Sequence, residues 1–473
     1  MIKEQNLVTQ LIPAKPRTIA MKNINTIKVN FKGGIIPHVD LYNILLAAGK
    51  SGLIYVRFGL RQQLLLDLEI GDLDNFTAEL DMLGIRYEVN DEEFPNIISS
   101  YPAEEVFIMN TWLKANVYHE IFELFNYTPR LKINISDASQ SFTPMLTGNI
   151  NWVASPADPH FWYLFIRFPK TNIVYEWREL FHTKNLAGMS LCIEETILQD
   201  KEKFYDNDEA SGDELYAKVN TNDFNTKPVD VPLVLPLFNL PYYEGFNRYN
   251  DKYWLGIYRR DELFSIQFLK EICRLCLKTE TGQLCSTPWK SIIIKGISEK
   301  NRKDWNYLLD KYQINVRHAA NELNFQVEDN SLEALHLKQH LVKYLNNDDT
   351  RTFGICIGIK TRKKSEVFSS ILVRRKALFN IGKWSFFHTY DILFAKDYNP
   401  NERTDFAFSS DNPKLVLAEQ LRRAILSYYN FIRPKEAPYA EEQVAETEKI
   451  KEPDDAGLED AENISKDATD EKD

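Results

Sequence analysis

The sequence has few cysteines, no long hydrophobic run and no basic surplus. Five cysteines in 473 residues are typical of free thiols in a reducing compartment and not of a disulfide-stabilised secreted domain. No apolar run reaches the roughly 18 residues that a membrane-spanning helix needs. The first residues also lack the apolar core, about 7–15 residues long, of a secretory signal. We therefore expect a cytoplasmic protein without a membrane segment.

The negative charge is concentrated at the C-terminus. Of the 68 acidic and 57 basic residues, 15 and 4 lie in residues 436–473, which alone accounts for the formal net charge of −11. Residues 1–435 then carry 53 of each and are close to neutral. A nucleic-acid-binding protein usually has a basic surplus, so nucleic acid is not an expected partner. High charge and few aromatic residues predict a disordered tail over 434–473.

One apolar pattern occurs twice in the chain. Residues 26–68 and 254–296 match at a constant offset of 228 positions, so that Leu41 falls on Leu269 and Ile44 on Ile272. Each copy predicts strand, helix, strand, strand, helix and strand in that order. This is the order of the ferredoxin-like βαββαβ motif. We therefore predict an internal duplication.

The predicted fold class is α+β, with two ferredoxin-like half-domains that are each followed by a larger α+β domain. Pro232, Pro236 and Pro241 predict an extended strap between the halves. The predicted boundaries are 1–24 for an N-terminal extension, 25–95 for half-domain 1, 96–230 for α+β domain 1, 231–250 for the strap, 251–320 for half-domain 2, 321–433 for α+β domain 2 and 434–473 for the acidic tail.

Basic residues crowd two alternating segments late in the chain. The segments Thr352–Lys360 and Val367–Arg375 predict two strands that pair as a hairpin. Small electron carriers are often acidic, so this edge is a predicted docking patch for one, covered by the acidic tail in the free protein. The alternative is that basic side chains protect an exposed edge strand. The patch comprises Lys360, Arg362, Lys363, Lys364, Arg374, Arg375 and Lys376.

Several segments resemble the sirohaem-containing nitrite and sulphite reductases. They are Gly33-Gly34 with the helix after it, Arg57–Gln62, Thr128–Ile133 and Gly148–Val153. The resemblance spans residues 25–380 and implies reductase-like α+β domains after each ferredoxin-like half-domain. A closer resemblance is to long proteins called rubredoxins, in which this scaffold precedes a small rubredoxin module. We expect no such module in this sequence, because no cysteine follows Cys356.

The resemblance implies an anion site. In that family, cations bind the sirohaem carboxylates and the oxyanion substrate, a role that suits guanidinium groups. Leu131 stands where one of the family's substrate-contacting lysines would be. The alternative is that the matching cations are solvated or paired with acidic residues such as Asp67 and Glu69. The residues expected to bind an anionic small molecule are Arg57, Arg61, Arg130 and Lys132.

The resemblance also implies two cysteine pairs that hold a 4Fe–4S cluster bridged to sirohaem. Four sulphur ligands are needed for such a cluster. The first pair should precede the helix that begins at Ser331, but Leu323–Asn330 contains no cysteine. The second pair should follow a strand at Thr352–Ile357, where only Cys356 occurs. We therefore expect neither sirohaem nor a 4Fe–4S cluster.

Three other cysteines allow two interpretations. Cys273, Cys276 and Cys285 could hold a mononuclear iron or zinc ion, although three thiolates leave one tetrahedral position open. In the repeat, however, Cys273 and Cys276 fall on Leu45 and Ala48, two apolar positions of a helix. Free cysteine is commonly buried as a small apolar residue, which favours core packing.

Two functional hypotheses follow from these patterns. The first is a redox-associated protein that has lost the sirohaem and cluster ligands and binds an anion or an electron carrier of the rubredoxin or ferredoxin type. The alternative is an active oxidoreductase of the nitrite/sulphite reductase or rubredoxin-linked type with a non-standard metal site. No catalytic residue is assigned, because the family's metal ligands are missing.

Overall fold

The computed structural model describes residues 24–108, 111–362, 366–381, 384–402 and 405–433, with the backbone alone for 378–381 and 384–387. The chain divides into two compact units, residues 1–425 and residues 426–473. In the second unit, the described part is the end of one helix and Arg433. All but the last residue of the predicted extension at 1–24, and the whole predicted tail at 434–473, lie outside the described residues.

The first half-domain is built on an antiparallel sheet. Its elements are β1 (Ile24–Asn30), β2 (Ile35–Ile36), α1 (His38–Lys50), β3 (Tyr55–Phe58), β4 (Gln63–Glu69), α2 (Leu73–Met82) and β5 (Glu88–Val89). The strand order is β3-β4-β1-β5, with every neighbouring pair antiparallel. Helix α1 buries Leu41, Ile44 and Leu45 on one face, as their spacing predicts.

The first α+β domain surrounds a seven-stranded sheet. Its elements are β6 (Ile98–Ser99), α3 (Ala115–Leu124), β7 (Ile133–Asp137), β8 (Ile150–Ala154), β9 (Phe161–Arg167), β10 (Val174–Glu176), β11 (Glu179–His182), α4 (Leu186–Gln199), α5 (Lys201–Phe204), α6 (Gly212–Lys218) and β12 (Thr226–Pro228). The order is β12-β11-β9-β8-β7-β6, and β10 pairs with β9. Every residue of β7 and β8 is buried, as expected for strands that are covered on both faces.

The second half-domain has a related strand order. Its elements are β13 (Gly245–Tyr249), β14 (Lys252–Ile257), β15 (Phe264–Ser265), α7 (Ile266–Thr279), β16 (Gln283–Ser286), β17 (Ile292–Ser298) and α8 (Arg302–Tyr312). The order is β13-β14-β17-β16. The last strand of the predicted motif does not form, because residues 314–319 are irregular and β13 takes the place beside β14. Either β13 or the segment at residues 314–319 could pair with the edge of β14. The apolar alternation of the sequence does not show which of the two segments does so.

The two half-domains exchange short strands. Strand β2 of the first pairs with β16 of the second, and β15 of the second pairs with β3 of the first. Helices α1 and α7 begin at His38 and Ile266, which are 228 positions apart. Both helices bury their apolar faces in one hydrophobic cluster. The two half-domains therefore share a single core.

The second α+β domain contains the parallel strands that the sequence did not predict. Its elements are α9 (Ala320–Leu323), β18 (Phe325–Val327), α10 (Leu332–Asn347), β19 (Ile357–Lys360), β20 (Ile371–Ile381), β21 (Trp384–Ala395), β22 (Asp405–Asn412) and α11 (Lys414–Ile432). Strands β19 and β20 pair in parallel, so the predicted hairpin is wrong. Apolar alternation identifies strands but does not show whether two strands run parallel or antiparallel. The antiparallel partner of β20 is β21.

These sheets and helices form an α+β architecture, as predicted. Among the described residues, no helix is both long enough and apolar enough to cross a membrane.

Candidate functional site

Segments from both halves of the chain line one cleft of about 160 Å³. The turn between β3 and β4 supplies Arg61, and Lys132 immediately precedes β7. The loop after β18 supplies residues 328–330, and the segment after β19 supplies Arg362 and Glu366. The cleft therefore depends on the packing of the two halves against each other.

A strained turn positions Arg61. Gln62 has a φ of +59°, in the left-handed region that non-glycine residues seldom adopt. Its side-chain amide donates to the carbonyl oxygens of Ser99 at 3.1 Å and Ser286 at 3.2 Å. The Gln62 Oε1 accepts from the backbone N–H of Ser99 at 2.9 Å. These buried bonds hold the turn and direct the Arg61 side chain towards the cleft.

The Arg61 guanidinium is buried among neutral acceptors. It donates to the carbonyl oxygen of Asn96 at 2.6 Å and to that of Ile133 at 3.1 Å, and to Asn134 Oδ1 at 3.4 Å. The Glu366 carboxylate lies 3.9 Å from Arg61 Nη1. Burial lowers the pKa of Arg61 to about 9, which leaves the group charged at neutral pH. A buried cation surrounded mainly by carbonyl oxygens favours an additional anion.

Lys132 provides a second cation beside Arg61. Its amine contacts the Glu366 carboxylate. Burial, and then the charge of Arg61, lowers the pKa of Lys132 to about 7, whereas the charge of Glu92 acts in the opposite direction. Glu366 therefore lies where a bound anion would contact both cations.

The remaining charges of the cleft largely compensate one another. Lys28 Nζ lies 3.0 Å from Glu92 Oε1. Arg362 donates from its guanidinium to the Asn330 carbonyl oxygen at 2.6 Å and from its backbone N–H to Glu328 at 3.0 Å. The cleft as a whole is lined by four basic residues, Lys28, Arg61, Lys132 and Arg362, and five acidic ones, Glu88, Glu92, Glu328, Asp329 and Glu366. An anion would thus fit at the Arg61–Lys132 end and not along the whole cleft.

The other two predicted cations lie outside this end. Arg57 binds Asp67 at 2.5 Å and donates to Asn330 Oδ1 at 2.7 Å. Arg130 is half-exposed and lies 3.4 Å from Glu93. The structure therefore brings Arg61 and Lys132 together. Arg57 instead pairs with Asp67, as the alternative interpretation predicted, and Arg130 lies at the surface.

Most of the cleft residues were not identified from the sequence, and Lys28, Arg362 and Glu366 are three examples. Lys28 lies on β1 among apolar residues, and a lysine that is 9% exposed in a strand is a signal that could have been noticed. Arg362 was predicted to belong to a docking patch. Glu366 follows a basic segment, and no sequence pattern marks it as a cleft residue. Their positions in the cleft depend on contacts that are distant in sequence.

Of the two segments expected to bind a cluster, the first contains oxygen ligands and no thiol, and the second contains the single thiol of Cys356. The loop after β18 contributes Glu328, Asp329 and Asn330 to the cleft. Cys356 lies just before β19, is fully buried, and contacts the Phe368 carbonyl oxygen at 3.7 Å. Burial raises the pKa of the Cys356 thiol to about 12. These residues do not fit a four-thiolate cluster.

The cysteine triplet is divided between two hydrophobic clusters. Cys273 and Cys276 are buried on α7 in the core that the half-domains share. Cys285 on β16 packs in the core of the first α+β domain. Burial raises the pKa of Cys273 to about 12 and that of Cys285 to about 11. No group of three potential metal ligands occurs within the part of the chain that the structure describes.

The basic residues of the predicted docking patch have acidic neighbours. Arg374 lies 2.8 Å from Asp391, and Arg375 contacts Glu333. Lys376 lies 3.3 Å from Asp391. Lys363 and Lys364 lie outside the described residues. The patch carries less uncompensated charge than its sequence suggests, and docking of an acidic carrier stays a prediction.

The fold of this chain is similar to that of solved structures of other proteins. The similarity supports the nitrite/sulphite reductase-like fold that the sequence resemblance implied. A representative is the NirA protein of Mycobacterium tuberculosis, which matches with a TM-score of 0.65 and 12% identity over 88% of this chain and 82% of that chain. At this identity the similarity shows the fold alone. No protein-family model matches the chain, and no curated protein matches it.

Proposed function

We propose that the protein binds a small inorganic anion at the Arg61–Lys132 end of the cleft and carries neither sirohaem nor a 4Fe–4S cluster. It is then a redox-associated binding protein on a reductase-like scaffold. The observation that carries this proposal is the buried Arg61 guanidinium, whose hydrogen bonds go to neutral oxygens. An anion beside it compensates a charge that burial has removed from water.

The size of the cleft favours a small ligand. Its volume of about 160 Å³ is below the roughly 300–1,000 Å³ of pockets that hold drug-sized molecules. A sulphate-sized oxyanion can accept hydrogen bonds from Arg61 and Lys132 together. A polyanion is disfavoured, because the rest of the cleft is lined by the carboxylates of Glu88, Glu92, Glu328 and Asp329.

The proposed loss of reductase activity rests on the missing ligands. The cleft loops contain Glu328, Asp329 and Asn330 where the resemblance implies thiolates. Six-electron reduction of nitrite or sulphite needs a metal centre, and side chains alone do not supply its chemistry. Iron and acid-labile sulphide measured on anaerobically purified protein test this proposal. About four of each per chain, with sirohaem absorbance, would overturn it, and one iron per chain would support a mononuclear thiolate site instead.

Calorimetric titration with sulphate, sulphite and nitrite tests anion binding directly. Lys132→Met should weaken binding by roughly 10- to 100-fold, because it removes a charge-assisted hydrogen bond worth about 1.5–3 kcal/mol. Glu366→Gln should tighten binding, because it removes the carboxylate that competes for both cations. Arg130→Gln is the matched control and should have no effect. Binding that is absent, or equal in all four proteins, contradicts the proposed site.

We also propose that the two halves are repeats that have diverged at the cleft. In support, α1 and α7 begin 228 positions apart, and the halves exchange strands reciprocally. At the same offset Arg61 falls on Trp289, a buried residue whose indole donates to the Phe142 carbonyl oxygen at 2.8 Å. An experimental structure in which residues 26–89 and 254–317 fail to superpose would disprove the repeat.

A further inference from the structure

A second pocket, of about 300 Å³, lies at the side of helix α10, away from the anion cleft. Its inner wall contains Lys338 and Tyr258, and exposed residues of α10, including Lys343, form its mouth. Arg260 and Glu322 also line it and bind each other at 2.6 Å. Because this pair is internally neutral, Lys343 gives the mouth of the pocket a positive charge.

The amine of Lys338 is in an unusual position for a lysine. The residue is 4% exposed, and its Nζ donates to Tyr258 Oη at 2.8 Å. No carboxylate lies within 4.0 Å of this amine among the described residues. A fully buried ammonium without an ion-pair partner is costly, so this site favours the neutral, nucleophilic amine.

We propose that Lys338 is a reactive amine that forms an imine with a small carbonyl compound bearing a carboxylate. The Nζ lone pair attacks the carbonyl carbon, and the carbonyl oxygen accepts a proton from Tyr258 Oη as the C–N bond forms. The nitrogen then returns a proton to Tyr258 Oη, and the resulting carbinolamine loses its hydroxyl group and its N–H proton as water to give the imine. Lys343 at the mouth supplies the charge that attracts the carboxylate. The step requires no oxidant or reductant.

The protonation states around the pocket support this chemistry. Burial lowers the pKa of Lys338 to about 8; Glu262 and Glu322 oppose this shift, and Lys290 adds to it. At pH 7 the neutral fraction of Lys338 is therefore on the order of 10²-fold larger than that of an exposed lysine. Burial also raises the pKa of Tyr258, which keeps its hydroxyl protonated as a donor. Arg260 and Lys343 are the other charged groups that line the pocket.

Reductive alkylation of the full-length protein tests the proposal. The protein is treated briefly at pH 7 with glyoxylate and cyanoborohydride, and the modified lysines are mapped by peptide mass spectrometry. Lys338 should be modified about tenfold faster than the exposed Lys50 and Lys278, with a rate that levels off above about pH 8. An unmodified Lys338, or one that reacts no faster than these controls, overturns the proposal.

A second arm tests the class of ligand. Lys343→Gln should slow the modification of Lys338 by glyoxylate severalfold and should leave its modification by acetaldehyde unchanged. Acetaldehyde is of similar size but lacks the carboxylate, so it reports the reactivity of the amine alone. Equal effects on both reagents, or no effect on either, would refute the role of the carboxylate. Neither arm depends on anion binding in the first cleft.

Discussion

Replacing Arg61 by methionine should lower the free energy of unfolding by about 2–4 kcal/mol. The guanidinium donates to the buried carbonyl oxygens of Asn96 and Ile133, and methionine leaves both without this donor. Each unsatisfied buried acceptor costs roughly 1–3 kcal/mol. Part of this loss is offset, because the variant no longer buries a charge.

Arg130→Met is the matched control for this substitution. Arg130 is half-exposed, as is its partner Glu93 at 3.4 Å, and an exposed pair contributes about 0–1 kcal/mol. Urea unfolding of the wild type and both variants measures the difference as a shift in midpoint with an unchanged slope.

The same experiment with sulphate separates stability from binding. At about 100 times its dissociation constant, a ligand stabilises the native state by about 2.7 kcal/mol. We expect this gain in the wild type and in Arg130→Met but not in Arg61→Met. If Arg61→Met is no less stable than Arg130→Met, or if sulphate stabilises all three equally, the assignment of Arg61 as a buried anion-binding cation is wrong.

Three other outcomes are expected. In the wild type, sulphate affinity should fall as the pH rises through about 7, because burial and the charge of Arg61 lower the pKa of Lys132 to about 7 and the amine loses its charge above that pH; calorimetry at pH 6 and pH 8.5 checks this, and a flat profile contradicts it. Gly33→Ala should destabilise the protein by roughly 2–4 kcal/mol in urea unfolding, since Gly33 has a φ of +65° and a Cβ there would lie 2.1 Å from the Phe122 ring; a change below about 1 kcal/mol would contradict that contact. With a thiol reagent, Cys192 should react first and the four buried cysteines only on unfolding, and rapid reaction of two or more thiols in native protein would refute the core assignment.

Short sequence patterns were sufficient to predict helices that bury one apolar face in one core. The apolar spacing of α1 predicted the face that buries Leu41 and Ile44, because a helix in contact with one core needs a single apolar stripe. The α+β class follows from such elements taken in order. The direction of β20 could not be predicted, because parallel and antiparallel partners require the same alternation.

The cleft was predictable only in part for a similar reason. Arg57, Arg61, Arg130 and Lys132 are close in sequence to the resembling motifs, but only contacts between distant segments decide which of them is buried. Arg61 is enclosed by residues more than 30 positions away. Glu366 reaches the same cations from the second half of the chain, and no local pattern distinguishes it from an ordinary surface acid.

The exchange of β2 and β15 has a consequence for how the chain acquires its structure. Each half-domain has an edge strand whose hydrogen-bonding partner lies more than 200 residues away. Neither half can complete its sheet while the other is unfolded, so the two should fold as one cooperative unit with a high contact order and a slow rate. A half produced alone would expose strand β3 or β16 and tend to aggregate. Two halves produced together should instead associate, because each supplies the strand that the other lacks.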